Sequence, residues 1–324
     1  MSGTLKGRVA LVAGATRGAG RGIAVSLGEA GAVVYCSGRS TREHPPSGVY
    51  AGLSQTIEET AELLDARGGT GIPVRTDHLD IAAVDALVAR IEHDHGRLDI
   101  LVNDISEGGM HDWKPFWKVD AARGLAMLRN GLDTHVITSR AAVPLMLKKR
   151  GRFPGLIAEI TDGWGLGYHG QFFYDLVKTN VNRLAFAMAS ELFRKNIAAV
   201  AITPGYMRTE MVLRHHGVTS ADWRSAIPKD PLFAESETPC FVGRAIAALG
   251  ADPGVMRKSG SLLSSWRLAE EYGFDDVDGR RPHLERRWNE IFGEHNSPMG
   301  GAALPITWGE VPAPQPKPPT QALA

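Results

Sequence analysis

Cysteine is scarce in this chain: only Cys36 and Cys240 occur among 324 residues. Two isolated thiols make neither a disulfide framework nor the spacing that a metal site needs, so no metal is expected. Cys36 sits inside an apolar run, which suits a buried, reduced thiol. Net charge is missing too, because 36 Lys and Arg balance 36 Asp and Glu. That balance gives no electrostatic reason to expect nucleic acid or an acidic membrane surface as a partner. No apolar run approaches the roughly 18 residues that span a bilayer. The opening MSGTLKGRVALVAGATRG is too broken by glycine for a secretory leader, so a cytoplasmic protein is expected.

What the chain does have is alternation. Apolar runs that read as strands occur at 8–14, 32–38, 72–78, 98–104, 155–161 and 198–205. Helical patterns lie between them, at 21–31, 55–69, 82–96, roughly 120–150 and 173–192. This alternation predicts one α/β domain of Rossmann type, a doubly wound parallel sheet with helices on both faces. The catalytic domain is expected over 1–265, with a C-terminal extension at 266–297. A proline-rich tail, expected to be mobile or extended, fills 298–324. Two stretches break the rhythm: a polar loop at 40–54, and 206–235, which is rich in turn formers and has no clean period.

Between the first strand and first helix lies AGATRGAGRG, with Gly14, Gly18 and Gly20 in the pattern GxxxGxG. Such a turn lets backbone approach a pyrophosphate, and the following helix aims free N–H groups at it. Thr16 and Arg17 sit inside this loop. A dinucleotide site usually has a carboxylate at the end of the second strand to take the ribose hydroxyls. Here Gly38 holds that position and Arg39 follows it. A guanidinium suits a 2′-phosphate, and Arg17 can add a second cation, so NADP(H) is the expected cofactor.

Tyr174 and Lys178 are four residues apart in FYDLVKTNVNRLAFAMASEL, one above the other on a helix face. Alone, the pair is an unremarkable phenol and ammonium. Together with the glycine loop, VNDIS (102–106) and PGYMRT (204–209), it resembles the short-chain dehydrogenase/reductase family, over about residues 5 to 265. The resemblance implies a catalytic Tyr174 and a Lys178 that holds the nicotinamide ribose and favours phenolate. It implies cofactor contacts from Asn103 and Asp77, although an acid like Asp77 also suits a helix start. It further implies that Pro204 and Gly205 shape the nicotinamide wall, with Thr209 bonding the carboxamide or diphosphate. Family members are commonly dimers or tetramers, so a homodimer or homotetramer is expected.

Two positions depart from the family pattern. The family places a Ser about thirteen residues before the Tyr, to bind the substrate oxygen. Thr161 stands at that count and keeps a hydroxyl, which makes it the first choice. Asp162 faces the site instead if the loop shifts the register, and could then act as a second acid or base. The family also uses an Asn in the fourth helix for a water relay, and the count back from Pro144 lands on Gly131. Asn130 could serve if the helix contains an irregular turn, which Gly131 would permit.

The loops after the fourth and fifth strands are aromatic, with Trp113, Phe116, Trp117, Trp164, Tyr168, Phe172 and Phe173. Trp113, Trp117, Trp164, Tyr168 and Phe172 are taken as the wall of an apolar substrate site. Filling core beneath long loops is the plainer alternative. Residues 206–235, with His215, His216 and Trp223, resemble the family's substrate-closing loop. The chain is therefore expected to interconvert a carbonyl and a secondary alcohol on a hydrophobic small molecule. A nucleotide sensor or scaffold that has lost the chemistry is the alternative, and a lyase or isomerase using Asp162 ranks below both.

Overall fold

The computed structural model describes residues 3–106, 114–148, 153–163 and 168–292. One parallel sheet contains β1 (Val9–Ala13), β2 (Val33–Gly38), β3 (Thr70–Arg75), β4 (Ile100–Asn103), β5 (Gly155–Ile160), β6 (Ile197–Thr203) and β7 (Leu262–Ser264). Their order is β3-β2-β1-β4-β5-β6-β7. Every residue of β1, β4, β5 and β6 is buried, as a sheet covered on both faces requires.

The cover comes from α1 (Gly18–Glu29), α2 (Ile57–Asp65), α3 (Ile81–His95), α4 (Ala121–Leu128), α5 (Thr134–Lys148) and α6 (Phe172–Leu192). It is completed by α7 (Glu210–His216), α8 (Pro239–Ala251), α9 (Ser265–Tyr272) and α10 (Leu284–Phe292). Strand periodicity divides the core in two. Ala10 and Val12 of β1 join Ile23 and Leu27 of α1, Phe241 and Ile246 of α8, and Trp266 of α9. Val9 and Leu11 point the other way, to Leu87 and Ile91 of α3, Leu145 and Met146 of α5, and Leu192 of α6. Cys36 is fully buried in the first core, and burial pushes its thiol up to about 12.

The structure differs from the sequence reading in three places. β7 has three residues, too few to show a period, and α8 before it packs closely on α1. The 120–150 helix is broken by a π turn over Arg129–Asp133. The 206–235 stretch is folded: α7 and two 3₁₀ turns, Trp223–Ala226 and Pro231–Glu235, close on Leu213, Trp223, Ala226 and Phe233. Elements this short carry too few apolar positions for a pattern to be visible.

The extension beyond residue 265 braces this cap. Arg208 and Arg280 lie over the Trp223 ring, 4.1 and 4.6 Å from its centroid. Arg208 pairs with Asp278 at 2.6 Å, and Arg280 donates to the Ala234 and Ser236 carbonyls at 2.9 and 2.6 Å. The proline-rich tail at 298–324 lies outside the described residues.

The α1–α8 contact depends on glycine. A Cβ on Gly22 would stand 2.2 Å from the Pro239 carbonyl oxygen, which is backbone and cannot swing aside. Gly22→Ala should therefore cost about 2 to 3 kcal/mol, read as a lower urea midpoint with an unchanged slope.

Candidate active site

A cleft of about 780 Å³ opens at the carboxyl ends of the strands, and residues that follow β1, β4 and β5 line it. The sheet order reverses direction between β1 and β4, which is where open α/β sheets leave a crevice. The glycine loop forms one wall. Gly14 has φ 96°, and a Cβ there would meet the Asp104 carbonyl oxygen at 2.9 Å. A Cβ on Gly20 would meet the Gly14 carbonyl oxygen at 2.2 Å. The turn thus keeps bare backbone at the α1 N-terminus, a cradle that fits a dinucleotide diphosphate. The Gly18 N–H donates to Glu210 Oε2 at 2.9 Å, so a carboxylate already sits on that donor.

At the end of β2, a Cβ on Gly38 would lie 2.5 Å from Thr16 Oγ1 and 3.2 Å from an Ile57 methyl. An acid at this position has no room. Arg39 is exposed beside it, and Arg17 donates to Ser40 Oγ at 3.2 Å with its guanidinium 4.2 Å from the Tyr50 ring centroid. All four positions line the cleft: Thr16, Arg17, Gly38 and Arg39.

Across the cleft, α6 presents Tyr174 and Lys178. Gln171 caps the helix, its side-chain oxygen accepting the Tyr174 N–H at 2.8 Å. The Tyr174 hydroxyl donates to Asp162 Oδ2 at 2.7 Å. The Lys178 ammonium lies 5.6 Å from the Tyr174 ring centroid. Burial and the Asp162 carboxylate both push the phenol well above its ordinary range. Burial pulls Lys178 down, opposed by Asp162 and Asp104. For Asp162, burial disfavours charge, but His169, the Tyr174 bond, Lys178 and the Gly163 N–H outweigh it and hold the carboxyl below its usual range.

Comparison with known proteins gives the same reading. The model of the short chain dehydrogenase family matches residues 8–216. The mouse dehydrogenase/reductase SDR family member 1 is 33% identical over 292 residues, covering 86% of each chain. A structure described as a short-chain dehydrogenase/reductase from Burkholderia xenovorans superimposes with TM-score 0.66 at 26% identity, covering 81% of this chain and 96% of that one. A short-chain dehydrogenase structure from Mycobacterium thermoresistibile shares the fold over 97% of this chain and 98% of its own, with TM-score 0.70 and 22% identity. The chain belongs to the short-chain dehydrogenase/reductase family. It is an oxidoreductase of that family, with one Rossmann-type domain.

Several expected positions are corrected by the geometry. Thr161, the first choice for the substrate oxygen, lines the cleft, but its hydroxyl is buried and already donates to the Lys178 carbonyl at 3.0 Å. β5 ends at Ile160, and the next turn leaves Asp162, not Thr161, against the phenol. Asn103 was expected to touch the cofactor, yet it is fully buried and donates to Ser139 at 2.9 Å and Glu159 at 2.7 Å. It braces β4 against β5 and α5; Asp104, Ile105 and Ser106 line the cleft instead. Asp77 lines the cleft and accepts the Leu79 N–H at 3.0 Å, while Asp80 caps α3. Pro204, Gly205 and Thr209 also line it, and Thr209 caps α7.

The π turn supplies the irregularity that Asn130 needs. Asn130 lines the cleft and its carbonyl accepts from Thr134 Oγ1 at 2.6 Å. Gly131 faces α6, where a Cβ would meet a Val177 methyl at 2.5 Å. The aromatic wall is not where it was expected. Trp117 is 70% exposed and Tyr168 54%, and Phe172 stacks on Phe116 with centroids 4.8 Å apart. None of Trp117, Tyr168 and Phe172 lines the cleft. Trp113 and Trp164 lie outside the described residues.

Asp104 stands in VNDIS as a departure from the family motif and was not named as a site residue. Its carboxyl is pushed up to about 7 by burial, against the pull of Lys178, the Gly20 N–H and His135. A carboxyl raised on folding favours the unfolded state wherever the unfolded chain is ionised and the folded one is not. Its cost therefore grows from about pH 4, the unfolded value, to about pH 7, and is constant above. Asp104→Asn should raise the melting temperature most at pH 8, by an amount that shrinks steadily toward pH 4.

Proposed function

We propose that this chain is an NADP(H)-dependent oxidoreductase that interconverts a carbonyl and a secondary alcohol on a small molecule. The observation that carries the reading is the part-buried Tyr174 phenol, bonded to Asp162 and one turn from Lys178, in the same cleft as the glycine loop. NADP(H), when bound, supplies the hydride chemistry; the protein binds, orients and moves the proton. Gly14, Gly18 and Gly20 would cradle the diphosphate and Lys178 the nicotinamide ribose. Asp77 would stand at the adenine, and Pro204, Gly205 and Thr209 at the nicotinamide end. Arg39 and Arg17 would take the 2′-phosphate, a role supported by the absence of room for an acid at Gly38.

Tyr174 would work as a relay. Burial and Asp162 oppose a standing phenolate, so the phenol keeps its proton at rest. In the oxidising direction a substrate hydroxyl gives its proton to Tyr174 Oη as the phenol proton passes to Asp162 Oδ2, and reduction reverses both transfers. Asn130, at the π turn, would open the route to water behind Lys178. The exposed aromatics Phe116, Trp117 and Tyr168, with part-buried Phe172, would form an outer rim, so the hydrophobic class of substrate is part of this proposal. So is a homodimer or homotetramer, for which Leu125, Val136, Phe186 and Phe193 offer exposed apolar surface on α4 to α6 and just after it. Among the described residues no helix is long and apolar enough to cross a membrane; a cytoplasmic location is proposed with the rest.

Three variants test this. Tyr174→Phe should lower turnover of ketones or secondary alcohols by about 10²-fold or more and leave NADPH affinity, read by nicotinamide fluorescence, within a few-fold. Wild-type protein that binds NADPH but turns over no carbonyl would favour the sensor reading. Arg39→Ala should weaken NADPH by about tenfold and leave NADH unchanged. Glu210→Gln should tighten NADPH several-fold, because the diphosphate then displaces a neutral amide from the Gly18 N–H rather than a carboxylate.

A further inference from the structure

His169 and Asp175 lie behind the site and belong to none of the family motifs quoted above. His169 Nδ1 is 2.7 Å from Asp175 Oδ1, and Nε2 is 3.1 Å from the Asp162 backbone carbonyl. Both ring nitrogens face acceptors, an arrangement that favours the imidazolium form. The Asp175 carboxylate also accepts the His169 N–H at 3.0 Å, and Asp175 follows Tyr174 in the first turn of α6. The side chain of His169 is only 8% exposed. Gly163 makes room for it: at φ 72°, its Cβ would stand 2.6 Å from His169 Nε2. The Gly163 N–H donates to Asp162 Oδ1 at 2.8 Å, so the turn that admits the imidazole also grips the carboxylate.

We propose that His169, held by Asp175, is a positioning residue that keeps Asp162 ionised and aimed at Tyr174, so that Asp162 can receive the phenol proton. This rests on the reading of Asp162 as the proton partner of Tyr174. The charged and titratable groups facing the pair are Tyr174, Asp175 and Lys178 on α6, with Asp104 across from Lys178. Burial alone would make His169 neutral, but Asp175 and Asp162 outweigh it and raise its pKa. Removing the imidazolium removes the first of the influences that hold the Asp162 carboxyl down.

The test is a ¹³C NMR titration of protein labelled at aspartate carboxyls, without cofactor, with Asp162 assigned by signal loss in Asp162→Asn. In wild type the Asp162 signal should stay at its ionised position down to about pH 4. In His169→Gln it should titrate at least about one pH unit higher. In an active enzyme the acid limb of alcohol oxidation should move up with it, with NADPH affinity within about twofold. Asp175→Asn, close in shape, should act in the same direction and carries the test if His169→Gln does not fold. An Asp162 signal that is unmoved in both variants overturns the proposal, as does lost activity with an unshifted pH profile, the mark of a structural role. Absence of turnover in wild type would instead count against the redox reading, and the NMR result would stand apart from it.

Discussion

The site turns on one hydrogen bond, from the Tyr174 phenol to the Asp162 carboxylate, both part-buried on the wall of the cleft. A buried carboxylate is costly unless charge and donors surround it. Asp162 has the Gly163 N–H and the phenol as donors, and Lys178 and His169 as nearby positive charge. Lys178 in turn sits between two acids, Asp162 and Asp104, which moderate the effect of burial on its ammonium. Each of these groups makes the burial of the others less costly.

The fold delivers those groups from separate elements to one end of the sheet. β5 ends at Ile160, and Thr161 and Asp162 both line the cleft, the Thr161 hydroxyl donating to the Lys178 carbonyl and Asp162 accepting from the phenol. Capping by Gln171 starts α6 where Tyr174 and Lys178 face that carboxylate. The π turn brings Asn130 to the cleft and Gly131 to α6. On the cofactor side, the glycine loop and the end of β2 are shaped by backbone approaches that leave no room for a Cβ. The brace beneath is Asn103 with Glu159 and His135, whose ring lies 2.6 Å from Glu159 and 2.9 Å from the Ile105 carbonyl.

Much of this was legible in the sequence, and the reasons are physical. Buried parallel strands read as continuous apolar runs, which made β1, β2, β4, β5 and β6 visible; β3, at the sheet edge, followed from the alternation, and β7, three residues long, was not seen. The glycine loop and the Tyr174–Lys178 pair are local patterns with fixed spacing, and both face the cleft. The choice between Thr161 and Asp162 hung on a shift of one residue where a strand ends, which spacing alone cannot settle. The contacts of His169 and Asp104 are with residues brought near by folding, and spacing does not show them. Aromatic content drew attention to the loops after β4 and β5, but composition does not say which way a side chain points. Phe173 packs against Gly124, within 2.4 Å of where a Cβ would be, while Trp117 faces solvent.

The most direct test of the account is turnover by Asp162→Asn across pH. The amide keeps the side chain's shape and its oxygen can accept the Gly163 N–H, but its nitrogen, facing the phenol, can neither accept that bond nor take a proton from it. The account predicts a loss of about 10²-fold or more at every pH, with NADPH binding and melting temperature near those of wild type. Wild-type turnover in Asp162→Asn would contradict it and reduce Asp162 to a structural partner of the phenol.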